Sequence, residues 1–106
     1  HAAKLLSESG LIVLASFISP TESIRSIAKD IIGEGQLFEV YVNTPLAVCE
    51  ERDSKGLYYK ARLGQIKDFT GISSPFETPK KPNFCLDGTK TLKDNLNFLL
   101  NKLSFQ

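Results

Sequence analysis

The sequence predicts an α/β fold, and three stretches carry that expectation. Leu11 to Phe17 (LIVLASF) is an almost unbroken apolar, β-branched run preceded by Gly10, the pattern of a strand covered on both faces in a parallel sheet. From Thr21, apolar residues recur at Ile24, Ile27, Ala28, Ile31 and Ile32, and the series closes on Gly33 and Gly35, as an amphipathic helix with glycine at its end does. Leu37 to Val42 (LFEVYV) reads as a second strand. Strand, helix and strand within about 30 residues make a βαβ unit, whose strands run parallel through a right-handed crossover.

The remaining elements follow in order. His1 to Leu6 (HAAKLL) is a helical pattern with no capping residue before it, which reads as a chain that starts inside a helix. Thr44-Pro45 supplies an N-cap and a first-turn proline for a short helix through Arg52, and a further helical stretch runs from Leu57 to Leu63. Residues 64 to 83 show no sustained period and contain three prolines. A surface loop of that length is usually functional or disordered. Phe84 to Leu86 reads as a short last strand. Thr91 with Asp94 caps a last helix whose inward stripe is Leu92, Leu96, Leu99, Leu100 and Leu103.

A chain of 106 residues suits one domain. Two long strands and a short one make only a narrow sheet, however, which leaves apolar surface uncovered, so the sequence reads as part of a domain. Thirteen Lys and Arg against twelve Asp and Glu leave a net charge of +1; no global field argues for nucleic acid or an acidic membrane. No apolar run nears the roughly 20 residues of a membrane-spanning helix. Cys49 and Cys85 each lie in an apolar pattern where a small buried thiol is the ordinary reading, and a reducing, cytoplasmic compartment fits them.

Three clusters have the composition of a binding site. Ligands of open α/β sheets lie beyond the carboxyl ends of strands, and Leu11–Phe17 runs into Ile18-Ser19-Pro20 at a helix start that favours an anion. The same Ser19-Pro20-Thr21-Glu22 also reads as a capping box, which needs no ligand. Arg52, Lys55, Lys60 and Arg62 surround Gly56 just after a helix, a set able to close over phosphate or sulfate, or simply to form a solvated face. Asp68-Phe69 places an aromatic in a polar loop, where it either packs or stacks on a base. With one histidine, at the chain end, neither a Ser-His-Asp triad nor a histidine metal site is supported, and no GxxxxGK[ST] loop occurs.

Taken together, GLIVLASFISP, the run Cys49-Glu50-Glu51-Arg52-Asp53-Ser54-Lys55-Gly56-Leu57-Tyr58-Tyr59-Lys60-Ala61-Arg62 and the run Lys67-Asp68-Phe69-Thr70-Gly71-Ile72 resemble, in unbroken order, the adenylyl-sulfate (APS) kinase family. The resemblance covers nearly the whole chain and matches the C-terminal portion of a single APS kinase domain, after the phosphate-cradling loop. It implies a partial P-loop kinase-like fold: a parallel sheet with flanking helices, a lid at about 52–64, a substrate loop at about 64–83 and a C-terminal helix.

It also implies an activity, transfer of the γ-phosphoryl group of ATP to the 3′-hydroxyl of APS to give PAPS, with Mg²⁺ accompanying ATP and its ligands upstream of His1. Residues 1–106 alone are then expected to be inactive. By resemblance Ile18, Ser19, Lys55, Asp68 and Phe69 match APS-binding positions, and Ser19 also matches a phosphoserine position. Arg52 matches a position near the adenine of ATP, and Thr89 lies in the loop that closes that pocket. The family further implies a homodimer and a fused or associated ATP sulfurylase. Thr21, Glu22 and Ser23 stand where the family carries an arginine, with Arg25 retained. That departure motivates an alternative, a non-catalytic domain that binds APS or PAPS as a regulatory module.

Overall fold

The computed structural model describes residues 1–103. Seven elements are present: α1 (Ala2–Glu8), α2 (Glu22–Ile32), β1 (Val40–Asn43), α3 (Leu46–Arg52), α4 (Leu57–Arg62), β2 (Phe84–Asp87) and α5 (Leu92–Leu103). The two strands pair in parallel, with Val40 opposite Phe84 and Asn43 opposite Asp87. Helices α3 and α4 and the long loop form the connection between them. α1 rests against α2, and α5 against β2. The chain is therefore α/β with a parallel sheet and flanking helices.

The helices begin where short polar side chains stop them. Thr21 accepts from the Ile24 N–H at 3.3 Å to start α2, and Thr91 accepts from the Asp94 N–H at 3.1 Å to start α5, each satisfying one of the unpaired first-turn donors. Two caps differ from expectation. Ser19 does not cap α2; it turns the chain at φ 42° two residues earlier. Thr44 does not cap α3 either, since Pro45 holds the cap position without a side-chain bond, and the Thr44 hydroxyl lies against Gly88 instead.

The largest difference concerns Leu11–Phe17. It forms no strand: the described sheet has two strands, β1 and β2, and the parallel crossover joins those rather than residues 11–17 and 37–42. A strand needs a neighbour's backbone at ladder distance, and periodicity cannot supply one. The side chains stay open, with Leu14 91% and Phe17 84% exposed. Leu92 likewise falls outside the packed face of α5, whereas Leu99 and Leu103 are half-buried. Cys85 is exposed and Cys49 only half-buried, contrary to two buried thiols.

These exposures add up to an open molecule. Its accessible surface is 8374 Å², against roughly 5,900 Å² for a compact protein of 11.7 kDa. The radius of gyration is 15.8 Å, where about 13 Å is usual for a compact domain near 100 residues. Among the described residues the buried hydrophobic core is Ala61 alone, at 5% exposure. No helix among the described residues is long and apolar enough to cross a membrane.

Candidate functional site

The apolar stripe of α2 faces a cleft of about 1100 Å³, with Ile24, Ile27 and Ile31 on one wall and Tyr41 of β1 behind it. Ile18, Ser19, Asp68 and Phe69, four of the residues singled out from sequence, all line this space. Ser19 and Asp68 are also the two non-glycine residues with positive φ among those described, at 42° and 53°. Side chains other than glycine hold that conformation only where their surroundings impose it, commonly at ligand sites. The strained positions thus fall in the cleft and nowhere else among the described residues.

Phe69 is fixed from both sides. Its N–H donates to Ser73 Oγ at 2.8 Å, and its carbonyl accepts from the N–H groups of Ile72, Ser73 and Ser74 at 3.0–3.1 Å. The ring meets Tyr58 of α4 edge to face, with centroids 5.0 Å apart, an arrangement the ring quadrupoles favour. Burial, with Cys49 beside it, raises the Tyr58 hydroxyl above its ordinary pKa. The ring contact thus ties the loop that carries Phe69 to the helix of the expected lid.

The turn into α4 has its own support. Gly56 takes φ 68° just before the helix, a left-handed conformation that glycine adopts without a steric penalty. The Asp53 carboxylate accepts from the N–H groups of Tyr58 and Tyr59 at 3.2 and 3.0 Å. Behind it Arg62 grips Glu50 through two contacts of 2.6 and 3.1 Å. That forked bond raises the Arg62 pKa and lowers that of Glu50. Two of the four cations expected to close over an anion thus have distinct fates: Arg62 is paired, and Lys55 is exposed in the turn, outside the cleft lining.

Arg52 and Thr89 form a second locus. Arg52 Nη1 donates to the Gly88 carbonyl at 2.7 Å, which ties the end of α3 to the β2–α5 loop. Thr89 donates from its hydroxyl to Asp87 at 2.6 Å and from its N–H to the same oxygen at 2.9 Å. The hydroxyl bond, then the backbone one, lowers the Asp87 pKa. The structure therefore brings Ile18, Ser19, Asp68 and Phe69 together, places Arg52 beside the Thr89 loop, and leaves Lys55 exposed outside the cleft lining. Among the described residues no cluster of three or more His, Cys, Asp or Glu could hold a metal ion.

The sequence matches the family described as adenylylsulphate kinase over residues 1–87. The chain belongs to the adenylylsulphate kinase family. It is 52% identical to the adenylyl-sulfate kinase of Bacteroides thetaiotaomicron over 101 residues, 94% of this chain and 50% of that one. It is 54% identical to that of Shewanella amazonensis over 87 residues, 82% of this chain and 44% of that one. The chain spans about half the length of the curated relatives it matches. Among solved structures it is similar to the Mycobacterium tuberculosis APS kinase CysC, determined in complex with AMPPNP and APS. The TM-score is 0.91 at 39% identity, covering 99% of this chain and 62% of that one.

One residue central to the site was undervalued in sequence. Arg25, noted only as a retained arginine, is 7% exposed and the one buried charged residue among those described. A signal was present: Arg25, Ala28 and Ile32 stand at i, i+3 and i+7, so the arginine lies on the apolar stripe of α2.

Proposed function

We propose that these residues form the APS-holding wall, the lid and one side of the ATP pocket of an adenylyl-sulfate kinase. The observation that carries the reading is the convergence of Ile18, Ser19, Asp68 and Phe69 on one cleft, two of them in strained backbone conformations. Phe69 stacks on the adenine of APS, while Ile18 and Ser19 border the nucleotide. Lys55, carried on the lid at about 52–64, approaches APS when the lid closes. Arg52, bonded to Gly88, and Thr89 flank the adenine of ATP. The loop at about 64–83 supplies the substrate side.

In the reaction the 3′-oxygen of APS forms a bond to the γ-phosphorus, the bond from that phosphorus to the β,γ-bridging oxygen breaks, and ADP leaves. The hydroxyl proton passes to a base outside these residues. Phosphoryl transfer needs positioning and charge neutralisation more than covalent chemistry, which rigid aromatics and mobile cations supply. Direct transfer between two bound nucleotides requires no phosphoserine at Ser19.

The open cleft and the lack of a GxxxxGK[ST] loop in residues 1–106 support the view that activity needs further chain. The full-length protein should convert APS and ATP to PAPS, and purified residues 1–106 should not; ATP-dependent turnover by the latter would overturn this. Calorimetry with APS and PAPS runs alongside. Tight binding without turnover by the full-length chain would instead assign the regulatory module, which the carboxylate of Glu22 at the start of α2 favours.

A further inference from the structure

Arg25 joins two chain segments that no regular element connects. Its Nη1 donates to the Ser19 carbonyl at 2.7 Å, and its Nη2 donates to the Glu77 carbonyl and to Glu22 Oε1, the latter at 3.3 Å. The guanidinium lies over the ring of Phe76, 5.6 Å from its centroid. Phe76 in turn stacks on Tyr41 of β1, with centroids 6.2 Å apart and planes 23° off parallel. Three further bonds close the junction: the Glu77 N–H to the Pro20 carbonyl at 2.7 Å, the Lys80 N–H to Glu22 Oε1 at 3.1 Å, and the Glu22 N–H to Glu77 Oε2 at 3.4 Å.

Both segments so joined line the cleft, through Ser19 on one and Phe76 and Pro79 on the other. One is the strained turn at Ser19, next to Ile18. The other is the distal end of the loop whose proximal end holds Asp68 and Phe69. We propose that Arg25 is a positioning residue for the sulfate-nucleotide site: its guanidinium buckles the Ser19 turn to the 76–80 segment and so sets the gap in which APS lies. This rests on the reading of the cleft as the APS site.

The chemistry of the buckle is specific to a guanidinium. Two backbone carbonyls, a carboxylate and an aromatic face are engaged at once, which a planar fork of donors permits and an ammonium does not. Arg25 Nε is buried without a hydrogen-bond partner. Buried polar atoms are seldom left so, and here the arrangement of the two terminal nitrogens is kept in spite of it. The guanidinium's own bonds go to Ser19, Glu22 and Glu77, none of them in the Arg52, Gly88 and Thr89 locus, so Arg25 bears on one nucleotide and not on both.

The test uses the full-length protein and its Arg25→Ala and Arg25→Lys variants. With Arg25→Ala, KM for APS should rise by about tenfold or more while KM for ATP stays within about twofold, because displacing one wall misplaces one substrate. Arg25→Lys, able to reach one carbonyl, should fall between. Amide hydrogen exchange at Glu77 and Lys80 should accelerate in both variants. An unchanged KM for APS, or equal rises for both substrates, would overturn the proposal. If Arg25→Ala does not fold, Arg25→Lys decides on the same criteria. If the wild type neither binds nor turns over APS, the reading of the site has failed. The buckle then stands or falls on exchange alone, and unaltered exchange at Glu77 sinks it.

Discussion

Replacing Gly88 by alanine probes the second locus, where the strand ends, α3 and the Thr89 loop meet. Gly88 donates its N–H to the Asn43 carbonyl at 2.8 Å and accepts from Arg52 Nη1 at 2.7 Å. A Cβ on this residue would stand 1.7 Å from Thr44 Oγ1, 2.9 Å from Thr44 Cβ and 3.3 Å from the Asn43 carbonyl oxygen. The first two separations cannot persist, so either Thr44 or the backbone of the 87–89 turn must shift. Overpacking of this kind costs about 1–3 kcal/mol, and weakening the Asn43 bond adds about 0.5–1.5 kcal/mol, so the full-length chain should lose about 1.5–4.5 kcal/mol in urea denaturation. KM for ATP should rise with it, since Arg52 loses its anchor, while KM for APS holds.

A second substitution isolates the cause. Thr44→Gly removes both atoms closer than 3.0 Å and leaves only the 3.3 Å contact. The pair Gly88→Ala with Thr44→Gly should therefore be more stable than the sum of the single losses by about 1–2 kcal/mol. Gly88→Ala within about 0.5 kcal/mol of the wild type, or a strictly additive pair, would refute the packing argument.

Thr21→Ala should cost about 0.5–2 kcal/mol as loss of the α2 cap, whereas Ser19→Ala should change denaturant stability by less than about 0.5 kcal/mol; equal losses would return the cap to Ser19. Glu22 is held below its ordinary pKa of 4.5, first by the Lys80 N–H and then by Arg25, against the opposing effect of burial. A carboxylate with a lowered folded pKa contributes stability that is fully present above its ordinary value and is lost as pH falls through the lowered one. Glu22→Gln should therefore flatten part of the fall in the urea midpoint below about pH 4.5, and an unaltered profile would count against the junction at Lys80.

Much of the architecture was legible because it depends on local rules. The 3.6-residue period located α2 and α5, and Thr91 marked the start of α5. A short strand at Phe84 was also legible from its apolar run, although its parallel pairing with Val40–Asn43 was not. The site was legible to the extent that its chemistry sits in short runs, as with Asp68-Phe69. Arg25 was not, because its value lies in the carbonyls of Ser19 and Glu77, and Glu77 is 52 positions away along the chain. Nothing in the composition of α2 announces which loop returns to it.

By itself the sequence determined the class of the fold, the order of most elements and the family, since these follow from period, capping chemistry and linked runs of residues. Tertiary structure decided which of them act together. It moved the α2 cap from Ser19 to Thr21 and freed Ser19 to shape the cleft. It also denied Leu11–Phe17 a strand for want of a paired neighbour. Hydrogen-bond partners and ring contacts are relations between distant segments, and a one-dimensional pattern records only the propensity of each segment to take part in them.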